Sequence, residues 1–199
     1  MSDTTAEPSD VSALFDRYKE RLRRTVRLRL DRRLTGLVDS SGVLKMAREE
    51  VERRGGELAE TAVGSFLWLR QIVGDVLLRI HQQRLGTDVR EDISLYRGAL
   101  PEATSVSLAA HLLGKGGGAV DQAAARAEQK IMLQETLNAM DPVDREVLTL
   151  RHCEQLSNDE TAAVLKISTG QASEAYVRAL KRISAIMTSL PGFQRKASK

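Results

Sequence analysis

The sequence predicts an all-α protein of two small helical domains joined by a linker, the C-terminal one containing a helix-turn-helix. Three observations predict it. Apolar residues recur at three- and four-residue intervals over residues 11–85 and again over 121–190, the spacing of helices that bury one face. Between them lie Pro101, a Ser/Thr cluster and Gly116, Gly117 and Gly118, the composition of a linker. The stretch LSNDETAAVLKISTGQASEAYVRALKR, residues 156–182, holds two serine caps with only a short gap between the helices they start. The expected layout is a flexible tail over 1–10, domains over 11–90 and 121–190, a linker over 91–120, and a basic tail over 191–199.

The opening MSDTTAEPSD is polar and acidic and reads as a loose tail without a signal-peptide pattern. A first helix is expected from about Val11 to Leu34, with Leu14, Tyr18, Leu22, Thr25 or Val26, Leu28 or Arg29, and Leu30 as its stripe. Arginine stems can cover the edges of that stripe while their heads stay wet. VDSSGVLKMAREEVERRG offers a cap at Ser40 or Ser41, a buried face of Val43, Leu44, Ala47 and Val51, and an end before Gly55 and Gly56. A third helix over 62–85 would bury Phe66, Leu69, Ile72 or Val73, Val76 or Leu77, and Ile80. Arg70, Gln71, Arg79, Gln82, Gln83 and Arg84 would then form a polar, basic surface, and Gly74 permits close packing.

In the linker, SVSLAAHLLG can form a helical turn or more, and Leu95, Tyr96 and Leu100 are apolar enough to dock on a module, fill a partner's groove or pack locally. The C-terminal domain opens near Asp121 or Gln122. Asp141 is placed to cap a helix that starts with Pro142 and carries Asp144 in its first turn. Ser157 and Glu160 have capping-box spacing, and Ser168 with Gln171 repeats it. In the second helix Ala172, Ala175 or Tyr176, Ala179, Leu180 and Ile183 would face the core, which leaves Ser173, Glu174, Val177, Arg178, Lys181 and Arg182 for another surface. The pair reads as a helix-turn-helix that completes a four-helix unit.

Composition narrows the function. No apolar run in the 199 residues approaches a membrane span, and one cysteine, Cys153, excludes an internal disulfide, so a reducing cytoplasm is expected. Three scattered histidines make no zinc cluster, and no cofactor is expected. The formal charge of +3 is unevenly placed: residues 16–33 carry nine bases against three acids, 141–165 six acids against two bases, and 169–199 six bases against Glu174 alone. An acidic first helix and a basic second one favour a polyanionic partner. His152, Cys153 and Asp159 are poor catalytic candidates, because neighbours on a helix point apart and no oxyanion site is suggested. The GKGGG run lacks the spacing of a phosphate-binding loop.

Taken in order, FDRYKERLRRTVRLRL, VDSSGVLKMAREEVERR, SFLWLRQIVGDVLLRIHQQRLG, LNAMDPVDREVLTLRHCEQLSNDETAAVLKIS and YVRALKRI resemble a bacterial extracytoplasmic-function sigma factor of the sigma-70 family over about residues 11–190. The segment SLYRGALPEA is similar to the linker of the planctomycete branch. The resemblance implies a non-enzymatic initiation factor that binds RNA polymerase core, double-stranded promoter DNA and the separated nontemplate strand, with room for an anti-sigma regulator and no membrane insertion. It implies a core-polymerase face at Asp39, Val43, Leu44, Lys45 and Arg48. It implies minus-ten contacts from Trp68, Arg70, Arg79, Gln82, Gln83 and Arg84. Minus-thirty-five contacts would come from Ser168, Thr169, Gln171, Ser173, Glu174, Val177, Arg178, Lys181 and Arg182.

The chain departs from the family pattern at identifiable places. Gly42 and Lys45 stand where an acid and a Gln are common, and Glu174 and Ala175 where polar or basic contacts are frequent. Lys166 replaces a turn glycine and is expected to take a backbone conformation unfavourable to a side chain. Two other readings fit these departures: a standalone DNA-binding regulator, and an interaction protein on a sigma-like scaffold.

Overall fold

The computed structural model of the chain describes residues 8–34, 36–58, 64–85, 101–113 and 120–189. Every regular element among them is helical, and the chain divides into two compact units, Met1–Ala103 and Thr104–Lys199. Leu95, Tyr96 and Leu100, the glycines at 116, 117 and 118, most of the N-terminal tail and the basic C-terminal tail lie outside the described residues.

In the first unit, helices α1 (Pro8–Arg29), α2 (Ser40–Arg53) and α3 (Ser65–Leu85) pack pairwise around one core. Its apolar centre joins Val11, Phe15, Leu22 and Val26 of α1 to Val43, Leu44, Ala47 and Val51 of α2 and to Leu69, Ile72, Val73, Val76 and Leu77 of α3. The expected stripe on α1 is shifted: Val11 and Phe15 are buried, whereas Leu14 and Tyr18 are half-buried. The cap of α2 is also one residue earlier than Ser40. Asp39 is extended, its side chain accepts from the Gly42 N–H at 2.8 Å, and a carboxylate suits the positive helix end better than a hydroxyl.

The first helix stops at Arg29, short of Leu34, and a tight turn over Arg32–Leu34 follows. Asp31 explains the break. Its N–H donates to His81 Nε2 at 3.3 Å, while its carboxylate accepts from the Arg33 N–H at 2.8 Å and pairs with the Arg33 guanidinium. The helix therefore loses the donor that its next turn needs, and α1 is tied to the end of α3 instead. His81 is fully buried; because Nε2 accepts, Nδ1 carries the proton, and it has no hydrogen-bond partner among the described residues.

A second polar tie joins α2 to α3. Arg54, just after α2, reaches Asp75 of α3 at 3.0 Å and Glu57 of the following turn Gly55–Leu58 at 2.8 Å. Arg79 of α3 lies 3.8 Å from Glu50, whose carboxyl is held below its ordinary range first by the hydrogen bond from Arg53.

The second unit contains the end of α4 (Pro101–Leu113), then α5 (Val120–Asn138), α6 (Pro142–Leu148), α7 (Asn158–Leu165) and α8 (Thr169–Ser189). Asp141 caps α6 as its position suggests, accepting from the Val143 and Asp144 N–H groups at 2.9 and 3.2 Å. Arg145 turns back to donate to the Leu137 carbonyl at 3.1 Å, satisfying the last turn of α5. After α6 the chain widens over Thr149–Cys153, closed by the Glu154 N–H on the Thr149 carbonyl, and Gln155 then takes φ 59°.

The buried His81 makes a pH prediction. Desolvation lowers its pKa below the ordinary 6.5, the main cause, with the Asp31 carboxylate opposing. The unfolded chain then binds the proton more readily, so the stabilisation is complete above the ordinary value and is lost as pH falls below it. The only tryptophan, Trp68, reports on this unit. The urea midpoint followed by its fluorescence should fall between pH 7.5 and 5.5, and His81→Gln should flatten that fall; equal slopes for both proteins would contradict the assignment.

Candidate nucleic-acid interface

Two local devices present α8. Ser157 Oγ accepts from the Glu160 N–H at 3.0 Å while the Glu160 carboxylate accepts from the Ser157 N–H at 2.8 Å, so α7 starts with both halves of a capping box. The same exchange recurs at α8, where Ser168 Oγ accepts from the Gln171 N–H at 3.1 Å and Gln171 Oε1 from the Ser168 N–H at 2.9 Å. Asn158 Nδ2 donates to the Thr169 carbonyl at 2.9 Å and pins the start of one helix to the start of the other.

The intervening turn is three residues long. Lys166 has φ 56° and ψ 42°, the left-handed conformation anticipated for it, and its N–H and that of Ile167 both donate to the Ala162 carbonyl. That is the hydrogen-bond pattern of a helix end normally supplied with glycine.

Helix α8 then buries Ala172, Ala175, Ala179 and Ile183. These fall at three- and four-residue intervals, and three methyl-sized side chains let the helix lie close against its neighbours, chiefly α6 and α7. Leu180, expected inside, is exposed instead, because the stripe runs through Ala179 and Ile183.

All nine residues read as minus-thirty-five contacts are exposed: Ser168, Thr169, Gln171, Ser173, Glu174, Val177, Arg178, Lys181 and Arg182. Beyond the first turn, the remaining six divide into two strips. Ser173, Val177 and Lys181 follow at four-residue intervals opposite the alanines, with Glu174 beside them. Arg178 and Arg182 lie on the flank toward α6. Arg178 grips Asp144 with two bonds, Nε to Oδ2 at 3.1 Å and Nη2 to Oδ1 at 2.7 Å, and its pKa is raised, first by that hydrogen bond. Arg182 reaches the Ala139 carbonyl at 3.4 Å. Lys181 makes no ion pair among the described residues.

The residues read as minus-ten contacts are placed unequally. Arg79, Gln83 and Arg84 are exposed on α3 and Gln82 is half-buried. Trp68 is 4% exposed, with Nε1 unpartnered among the described residues, and Arg70 is 5% exposed. On α2, Asp39 and Lys45 are exposed and Arg48 is half-buried, whereas Val43 and Leu44 belong to the core.

Sequence reasoning passed over Phe15, Lys19 and Arg23, which meet Leu44, Lys45 and Arg48 around one cleft. Their four-residue spacing along α1 was the available signal.

Cys153 is buried while His152 is exposed, and Ser157 serves as a cap. No group of three or more His, Cys, Asp or Glu among the described residues could hold a metal ion, and no described helix is long and apolar enough to cross a membrane.

Left-handed Lys166 generates a second prediction. A lysine there bears roughly 1–2 kcal/mol of backbone strain that glycine lacks, partly offset by the extra freedom glycine has when unfolded. Lys166→Gly should raise protection of the α7 and α8 amides in native-state hydrogen exchange by about 0.5–1 kcal/mol. Reduced protection would contradict the strain.

Comparison with known proteins agrees with this geometry. Residues 130–183 match the family described as Sigma-70, region 4, a span from the middle of α5 to near the middle of α8. The chain is 38% identical over 64 residues to RNA polymerase sigma-E factor of Streptomyces coelicolor, covering 32% of this chain and 36% of that one. It is equally similar to the Streptomyces avermitilis protein of that name, and 39% identical over 54 residues to that of Streptomyces antibioticus. The matches span about a third of the length of those relatives. Residues 130–183 of the C-terminal unit are thus similar to sigma-70 region 4, and the chain is similar over about a third of its length to sigma factors of the sigma-E type.

Proposed function

We propose that this protein is an alternative sigma factor that binds RNA polymerase core, recognises promoter DNA and promotes transcription initiation in the cytoplasm. One observation carries the reading: a region 4 match falls on a capped helix pair whose second helix holds its polar, basic strip away from its own core. In this reading the chain performs no chemistry, and polymerase supplies nucleotide transfer. The planctomycete-like branch rests on SLYRGALPEA alone.

Roles within α8 follow from partners. Ser173, Glu174 and Val177 stand on the outward strip, and a glutamate there can accept from cytosine N4 while repelling phosphate. Lys181 is the ready phosphate contact. Arg178 has to leave Asp144 before it can serve a phosphate, and until then it positions α8 on α6. In the first unit, Arg79, Gln82, Gln83 and Arg84 form the surface for the separated strand. Trp68 and Arg70 support it from inside.

A second reading, a standalone DNA-binding regulator, is favoured by the confinement of the family match to residues 130–183. Titration of core polymerase with the purified chain separates the two, since a regulator leaves core unbound even at low salt.

The salt dependence of duplex binding tests the helix assignments. Lys181→Ala should weaken binding across sequences and reduce the slope of log K against log salt by about one. Asp144→Asn, which releases Arg178, should steepen it. Unchanged slopes in both variants would remove these two bases from the interface.

A further inference from the structure

The cleft between α1 and α2 has a composition that its place on the core-polymerase face does not explain. It is an open cleft of about 290 Å³ whose floor is Phe15 and Leu44 and whose rim is Lys19, Arg23, Lys45 and Arg48. Phe15 and Leu44 are 1% and 3% exposed, so the floor is part of the bundle core and holds its shape without a ligand. Every charged residue that lines the cleft is a cation.

The cations differ in what they already hold. Arg48 is engaged by Asp16 at 2.9 Å and Glu52 at 3.4 Å, and its guanidinium lies 5.8 Å from the centre of the Phe15 ring. Arg23 pairs with Glu20 on its own helix. Lys19 and Lys45 make no ion pair among the described residues, and they approach the same floor from different helices. Gly42 and Lys45 are also where the resemblance leads one to expect an acid and a Gln, so this helix is more positive than that pattern implies.

We propose that this cleft binds an acidic protein segment that inserts one large apolar side chain between Lys19 and Lys45. The aliphatic stems of the rim side chains, standing over the buried floor, exclude water from the apolar group, and Lys19 and Lys45 receive carboxylates on either side of it. A long polyanion fits less well. Asp16, Glu20, Glu49 and Glu52 lie along the same two helices and would oppose a continuous phosphate backbone, whereas a few carboxylates spaced around an apolar residue avoid them. This deepens the reading of α2 as a polymerase-facing helix by stating the chemistry of what it meets.

The test uses the full chain and a fluorescein-labelled peptide, EEALFEELAEE, followed by anisotropy at low salt. Two controls accompany it: KKALFKKLAKK, with the charge reversed, and EEAAAEEAAEE, without the large apolar residues. The expected result is saturable binding of the first peptide only, weakened roughly tenfold in a protein carrying both Lys19→Gln and Lys45→Gln. The same binding should persist with Lys181→Gln in the other unit. Equal binding of either control peptide, or affinity unchanged by the double substitution, overturns the proposal. Core polymerase is titrated in parallel. Core binding without peptide binding sinks this inference alone, and peptide binding without core binding sinks the polymerase reading alone.

Discussion

Three residues, Lys166 to Ser168, have to end one helix, turn the chain and begin the next, and the presentation of α8 depends on their doing so at fixed geometry. The Ala162 carbonyl takes both the Lys166 and Ile167 N–H groups, Lys166 accepts a left-handed backbone, and Ser168 exchanges hydrogen bonds with Gln171. Once α8 leaves the turn in that direction, Ala172, Ala175 and Ala179 face inward together. Small side chains on that line let the helix settle close enough to α6 for Arg178 to meet Asp144 with both nitrogens. A longer or looser turn would rotate the stripe, and the small side chains that permit close packing would then leave a void.

The first unit solves a different problem, that of burying charge. The basic run over 16–33 is not a free cationic surface. Arg29 is buried, Arg33 is committed to Asp31, Arg23 to Glu20, and Arg21 lies 3.6 Å from the centre of the Phe66 ring. Counting charges along the chain therefore overstates what a partner would meet. The two lysines of the α1–α2 cleft, which make no ion pair among the described residues, are conspicuous because so many neighbouring arginines are already engaged, and this is why an acidic occupant is proposed there.

Local signals were legible in the sequence, and long-range ones were not. The caps at Asp141, Ser157 and Ser168 could be read because partner and cap are at most three residues apart, and the strain at Lys166 followed from a residue type in a turn. The helical face of α2 was also clear, since Val43, Leu44, Ala47 and Val51 crowd one side, whereas α3 buries residues around most of its circumference and its surface was misjudged at Trp68 and Arg70. By contrast, α1 has apolar and arginine side chains on several faces, and only packing against Gly55 and α2 selects Val11 and Phe15 over Leu14. His81 with Asp31 and Arg178 with Asp144 join residues distant in sequence, so neither the early end of α1 nor the tethering of Arg178 could be inferred from spacing. Gln155 escaped notice for a related reason: its left-handed backbone is required by the widened turn before it, and that turn has no composition of its own. Among the candidate site residues, the nine read on and before α8 are exposed, Val43 and Leu44 are buried as their apolar face leads one to expect, and Trp68 and Arg70 are interior.

In the proposed function two separate surfaces, one on each unit, act together on a promoter once the chain has bound core polymerase. Duplex recognition and capture of unpaired bases draw on different chemistry, groove contacts for the first and stacking with phosphate attraction for the second. The measurement that reaches both is transcription by reconstituted core polymerase and this protein on a promoter-fragment library, read with permanganate detection of unpaired thymines. The account predicts starts at a restricted promoter class that core alone does not use, and Arg79→Ala with Arg84→Ala should reduce opening more than upstream binding. Active core that gives neither specific starts nor an opened region in the presence of this protein would contradict it.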